Sequence, residues 1–247
     1  MVKSNKTLGI ILARAGSKGL VNKNIKVING HPLIAWTINT GKKSNLIDDL
    51  IVSTDSKQIA EISKNYGAEV PFTRPKVFSD DSSKSSTAII HALDELDRIG
   101  RVYDYVVLLE PTSPLREKSD IDISLKKIIN KNFFSIVSVS KAESSHPSFL
   151  YKTNSEKLLI PYTGKHPTDL RRQDIEDLYF VDGTIYCSPV NLFREKESFY
   201  HDRTLFYEVP KWKSLEIDDI YDFIMVESLM KSEELKNKFL INKLPLA

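Results

Sequence analysis

The residues best suited to chemistry stand together near the start of the chain. Leu12-Ala-Arg14-Ala-Gly16-Ser17-Lys18-Gly19-Leu-Val-Asn22-Lys23-Asn24 packs three cations, two glycines and three hydrogen-bonding side chains into one stretch. Gly16 and Gly19 let successive backbone N–H groups converge on an anion, and Arg14, Lys18 and Lys23 supply charge enough for a polyphosphate. The order departs from G-x-x-x-x-G-K-[ST], from G-x-G-x-x-G and from G-x-S-x-G, which sets aside P-loop enzymes, dinucleotide-binding folds and serine hydrolases. The plain alternative for such a stretch is a solvated basic turn. Far along the chain, Glu216-Ile217-Asp218 sets two acids at i and i+2, on one face of an extended segment. Its alternative is a helix-initiating acidic cluster of Glu216, Asp218, Asp219 and Asp222.

Elements must exist to bring these groups together. Thr7 to Ala13 is a continuous apolar run closed by the glycine-containing loop, the pattern of a buried parallel strand. A helix beginning near Pro32 follows, then a strand at 50–53, a helix capped by Ser56 and ended at Gly67, and a third strand at 69–72. Ser85 or Ser86 opens a helix toward Gly100, and 105–109 reads as the most central strand. The Pro111-Thr112-Ser113-Pro114 turn, a helix over 119–130 and a fifth strand over 134–140 complete the alternation. From 141 to about 200 the texture changes to Pro, Ser, His and Tyr with short strand-like pieces at 149–151 and 178–187, which reads as an inserted subdomain or dimer arm. A strand at 205–209 and a helix at 219–230 return to the core, and Asp55 is read as a cap of the helix after the second strand. The expected fold is therefore α/β: a mostly parallel, Rossmann-like sheet covered by helices on both faces, with ligands at the carboxyl ends of its strands.

Composition narrows the class. The 247 residues are 41% apolar and 28% charged, so the chain buries a large core and is not disordered. Thirty-five Lys and Arg against 33 Asp and Glu leave a net charge of +2, too little for nucleic acid as the main partner. The only cysteine, Cys187, excludes an internal disulfide and a Cys-type zinc site and fits a reducing cytoplasm. The five histidines, His31, His91, His146, His166 and His201, show no metal-ligand spacing. No segment reads as a signal peptide or membrane span.

The loop resembles the signature of acylneuraminate cytidylyltransferases, the CMP-sialic acid synthetases. The likeness continues through Val52-Ser53-Thr54-Asp55, Arg74-Pro75, Ser79-Asp80 with Ser85, and Ile90-His91-Ala92-Leu93. It extends to Pro111-Thr112-Ser113-Pro114-Leu115-Arg116, Arg172-Gln173 and Gly183-Thr184-Ile185-Tyr186. These motifs cover most of the chain, so the resemblance implies a single cytidylyltransferase domain over 1–247, with 141–200 an inserted subdomain for dimerisation and acceptor binding. It implies transfer of CMP from CTP to the anomeric hydroxyl of a nine-carbon 2-keto sugar acid. In that scheme Arg14, Lys18 and Lys23 hold the triphosphate on the Gly16-Ser17 backbone, Asn24 contacts the nucleoside, and Arg74 and Ser85 fix the cytidine. Glu216 and Asp218 resemble the family's Asp-x-Asp site for Mg2+, a hard ion suited to carboxylate and phosphate oxygens. Glu216 is a departure, which makes Asp218 the better ligand.

Two further departures lie on the acceptor side. Glu110 stands where the family commonly carries Gln, and Phe180-Val181-Asp182-Gly183 replaces an Arg-Pro-Asn-Gly version. Both move toward acid or away from base, which points to a modified nonulosonic acid bearing an amino or acylamino group. Arg172 remains to hold the sugar carboxylate, its guanidinium fork matching that group. The resemblance implies a homodimer in which a partner subunit closes the acceptor pocket. The alternatives are a cytidylyltransferase for an eight-carbon 3-deoxy sugar acid and a non-catalytic nucleotide-binding protein on the same fold.

Overall fold

A computed structural model describes residues 5–17, 19–80, 83–129, 131, 134–143, 145–164, 175–233 and 235. Its centre is a six-stranded sheet. In chain order the strands are β1 (Thr7–Leu12), β4 (Asp49–Ser53), β5 (Tyr105–Leu108), β6 (Ser135–Lys141), β9 (Tyr179–Pro189) and β10 (Thr204–Glu208). The numbers between belong to two small hairpins: β2 (Val27–Ile28) with β3 (His31–Pro32), and β7 (Tyr151–Thr153) with β8 (Leu159–Pro161). Across the sheet the order is β10, β6, β9, β5, β1, β4. Pairing is parallel for β1 with β4 and β5 and for β6 with β10, while β9 runs antiparallel to both neighbours. Five strands therefore share one direction, and a single reversed strand joins the two halves.

The helices are α1 (Leu33–Lys43), α2 (Lys57–Asn65), α3 (Ser85–Arg98), α4 (Lys118–Ile128), α5 (Val190–Lys196) and α6 (Ile220–Lys231). Alternation along β1 explains why both faces are covered. Ile11 packs with Ile34 and Ile38 of α1, Ile59 of α2 and Leu125 of α4, whereas Leu8 and Ile10 pack with Ile89 and Leu93 of α3 and Phe193 of α5. A third cluster seats Phe223, Val226 and Met230 of α6 against Leu33 and Trp36 of α1.

Two expectations need correction. Residues 69–72 do not form a third strand: Glu69 makes one parallel bridge to Ile51, and the pairing stops as Pro71, which has no N–H, follows. The strand-like stretch at 178–187 does not belong to an inserted unit, because β9 is the middle of the main sheet. Only the β7–β8 hairpin stands apart from the sheet among the described part of 141–178.

β9 carries the feature that shapes the site. Val137 of β6 faces Tyr186, yet Val139 faces Val181, so Ser138 alone stands opposite residues 182–185. Ser138 Oγ pins this bulge by donating to Asp182 Oδ1 (2.7 Å) and accepting from the Ile185 N–H (2.8 Å).

Candidate active site

The cationic loop leaves the carboxyl end of β1, as expected. Gly16 (φ +74°) and Asn22 (φ +54°) take left-handed conformations that curl it, and Asp55 Oδ1 anchors it by accepting from the Ala15 N–H at 2.9 Å. Asp55 is thus a loop anchor and not the cap of α2; that cap is Ser56, whose Oγ accepts from the Ile59 N–H. Asn24 is buried and donates from Nδ2 to the Arg14 carbonyl at 3.1 Å. Arg14 Nη1 reaches the Ser79 carbonyl (3.3 Å), and Arg74 Nε donates to Ser79 Oγ (3.0 Å). Burial lowers the pKa of Arg74, with Asp55 and Glu110 opposing that shift.

One cleft opens on this loop, and a second adjoins it at Glu110. The smaller, about 380 Å³, is lined by Arg14, Ser17, Gly19, Lys23, Asn24 and Asp218, with Glu110 and the Pro111-Thr112 turn on its far wall. The larger, about 590 Å³, is lined by Ser85, Glu110, Tyr186, Lys196, Phe199 and Tyr200 among others. Among the described residues, Glu110 alone lines both. Its backbone carbonyl accepts from Arg116 Nη2 (2.9 Å) and Thr37 Oγ1 (3.4 Å). Enclosure by protein, with the Glu216 carboxylate adding to it, pushes the Glu110 pKa up to about 7 against the pull of Arg116, Lys23 and Arg74.

Arg116 knits this region together. It donates to the carbonyls of Gly183 (3.1 Å) and Thr184 as well as Glu110, so the β9 bulge is held beside the end of β5. Burial lowers its pKa to about 10, which still leaves it charged at neutral pH. Tyr186 and Tyr200 meet edge to face, 6.3 Å between ring centres, and burial raises both phenols.

The acidic pair comes in on the segment before α6, which the Ile217 N–H ties to the Thr112 carbonyl at 2.9 Å. The Glu216 carboxylate accepts from the Gly183 N–H, and burial and Asp218 raise its pKa. Asp218 is exposed and pairs with Lys23 Nζ at 3.0 Å. Asp219 and Asp222 do something different: they form the capping box of α6. The acidic cluster thus divides: Asp219 and Asp222 start a helix, Asp218 lines the small cleft, and Glu216 is held at the β9 bulge. A pair of carboxylates beside a phosphate-sized cleft suits Mg2+, which takes one or two carboxylates and fills its remaining positions with phosphate and water oxygens.

Of the residues expected to act, Arg14, Ser17, Lys23, Asn24, Glu110 and Asp218 line the small cleft, Gly16 curls the loop that forms it, and Glu216 sits at the β9 bulge; Ser85, expected on the cytidine, opens on the large cleft instead. Asp182 is 1% exposed inside the bulge, where Oδ1 serves Ser138 and the Thr184 N–H and Oδ2 finds no partner among the described residues. Phe180 is 41% exposed on β9 and lines neither cleft. Lys18 and Arg172 lie outside the described residues. Tyr200, Phe199 and Lys196 were not singled out by sequence; the only signal was an aromatic pair after α5, which equally suits a core.

A family model described as cytidylyltransferase matches residues 8–243. A CMP-N,N'-diacetyllegionaminic acid synthase from Legionella pneumophila is 34% identical over 229 residues, covering 91% of this chain and 96% of that protein. A pseudaminic acid cytidylyltransferase from Campylobacter jejuni is 29% identical over 92% of this chain and 97% of its own length. An N-acylneuraminate cytidylyltransferase from Streptococcus agalactiae is 33% identical over 90% of this chain, which spans 52% of that protein. Among solved structures, a CMP:2-keto-3-deoxy-manno-octonic acid synthetase complexed with CTP shares the fold, with a TM-score of 0.67 and 16% identity over 91% of this chain and 98% of that one.

Proposed function

The chain belongs to the cytidylyltransferase family, and from that premise we propose that it transfers CMP from CTP to the anomeric hydroxyl of a nonulosonic acid, releasing pyrophosphate. The observation that carries this reading is the pair of adjoining clefts: a cationic one at the end of β1 for the triphosphate, and a larger tyrosine-lined one for the acceptor. Arg14 and Lys23 hold phosphate oxygens, and the loop N–H groups complete the cradle. Lys23 exchanges Asp218 for the nucleotide, an exchange made easy by the exposure of the Asp218 carboxylate. Asp218 and Glu216 are then free to hold Mg2+. Bound there, the ion would neutralise charge on the phosphates and favour departure of pyrophosphate. The protein's own part is to align the attacking oxygen with the α-phosphorus and to place cations around the charge that develops.

The length and identity of the match to the diacetyllegionaminic acid synthase support an acceptor that carries acylamino groups. The acid at Glu110 agrees with an acceptor richer in hydrogen-bond donors. A homodimer is part of the proposal: the β7–β8 hairpin shows Leu158, Leu159, Ile160 and Tyr162 to solvent, a surface that a second copy would cover. Use of CTP, a single buried Cys187 and the lack, among the described residues, of any helix long and apolar enough to cross a membrane support a cytoplasmic enzyme.

The test is pyrophosphate release with CTP, UTP, ATP or GTP in the presence and absence of Mg2+ and a sugar acid. Release confined to CTP with Mg2+ and acid is the expected result. Binding of CTP without release under every condition would favour a non-catalytic nucleotide-binding protein.

A further inference from the structure

We propose that Glu110 is a catalytic base, taking the proton of the acceptor's anomeric hydroxyl as that oxygen attacks the α-phosphorus. The inference rests on the transfer reading above. If triphosphate fills the small cleft and acceptor the large one, the new bond forms where the clefts meet, and Glu110 is the one described residue that lines both. Its backbone carbonyl is held by Arg116 and Thr37, so the side chain stands at that boundary from a fixed root.

The other groups nearby are unsuited to the task. Lys84 and Lys196 on the large cleft are cations, and Glu197 lines only that cleft, away from the phosphate side. The Tyr186 and Tyr200 phenols, both raised by burial, stay protonated at neutral pH and offer no basic oxygen. In the reading above Asp218 and Glu216 are committed to Mg2+, and Glu216 lines neither cleft. The charged groups facing Glu110 come from four segments: Lys23 from the loop after β1, Arg74 from the stretch after β4, Arg116 after the Pro-Thr-Ser-Pro turn, and Glu216 before α6. The three cations offset part of the burial and the Glu216 charge that favour the protonated form of Glu110.

The step balances without further reagents. The anomeric O–H bond breaks and its proton passes to the Glu110 carboxylate; the O–P bond forms as the bond from the α-phosphorus to the bridging oxygen breaks. Pyrophosphate leaves with that electron pair, and Glu110 returns its proton to water when the product departs. Glutamine, the residue common in the resembling family, could orient the hydroxyl but not accept its proton.

The experiment compares wild type, Glu110→Gln and Glu110→Asp in pyrophosphate release at saturating CTP and acceptor from pH 5.5 to 9. Wild-type kcat should rise through an acid limb near neutrality. Glu110→Gln should lose that limb and fall about 100-fold or more at pH 8, with KM for either substrate changed less than about threefold. Glu110→Asp, which keeps the base on a shorter arm, should retain the limb at a reduced rate. Circular dichroism and calorimetric CTP titration of each protein separate a chemical loss from a folding one. A Glu110→Gln protein within about threefold of wild type, limb intact, overturns the proposal while leaving the transfer reading in place. No release by wild type with any acid would take down both.

Discussion

Placing Glu110 between two clefts has a cost in stability, and its sign can be worked out. The folded state holds the proton up to about pH 7, whereas an unfolded glutamate releases it near the ordinary value of 4.5. Below 4.5 both states are protonated and nothing is lost; between 4.5 and 7 only the unfolded chain ionises, so stability falls as pH rises, and above 7 the whole penalty is present. Water in the clefts screens part of it, leaving about 1–2 kcal/mol. Glu110→Gln should therefore melt higher than wild type at pH 8 and level with it near pH 4.5; a pH-independent difference would contradict the assigned environment. Lys23→Ala should act on binding instead, raising KM for CTP by about tenfold while costing little stability, since its partner Asp218 is exposed to solvent. CTP titrations and thermal melts check both halves. The cationic loop was legible in the sequence because a polyphosphate demands local charge and glycine at close spacing. Arg116 and Asp182 were not legible, because each takes its role from partners more than forty residues away: the Gly183 and Thr184 carbonyls for Arg116, and Ser138 for Asp182.

The β9 bulge is the element on which the site depends. Gly183 sits there for space, since a Cβ would lie 2.8 Å from the Glu216 carboxyl carbon. That carboxyl is the far end of a flexible side chain, so Gly183→Ala should fold with little loss of stability yet displace Glu216. The expected readout is a severalfold higher Mg2+ concentration for half-maximal rate with an unchanged melting temperature; an unchanged Mg2+ requirement would remove Glu216 from the metal site. Ser138→Ala acts on the fold instead, leaving Asp182 Oδ1 and the Ile185 N–H each short of a partner at a cost of about 1–3 kcal/mol in denaturant unfolding. The alternation of strands and helices was readable because β1, β4 and β5 are short apolar runs between turn residues. The strand expected at 69–72 failed on Pro71, which ends pairing after one bridge. β9 was assigned to an insertion because Pro, Ser, His and Tyr dominate the chain around it, and only its pairing with β5 and β6 places it in the main sheet.

For the molecule as a whole, the exposed apolar hairpin and the paired clefts make separate claims. Leu159→Asp with Ile160→Asp should shift the protein from dimer to monomer in sedimentation velocity while its circular dichroism stays that of a folded chain, because both side chains are exposed on the single chain. A wild-type monomer would contradict the assembly. The α/β class and the direction of most strands followed from sequence pattern alone, whereas the reversed strand that joins the halves of the sheet required the long-range pairings of β9 with β5 and β6. The central claim is the transfer itself, and one measurement meets it most directly: mass and phosphorus NMR analysis of the products from CTP, Mg2+ and, in parallel, N,N'-diacetyllegionaminic, pseudaminic, N-acetylneuraminic and eight-carbon acids. The account expects a CMP-sugar with pyrophosphate, formed fastest from a nonulosonic acid bearing two acylamino groups and formed more slowly at subsaturating CTP when Lys23 is replaced by Ala. Efficient product from the eight-carbon acid alone, or none from any acid by a protein that binds CTP, would contradict it.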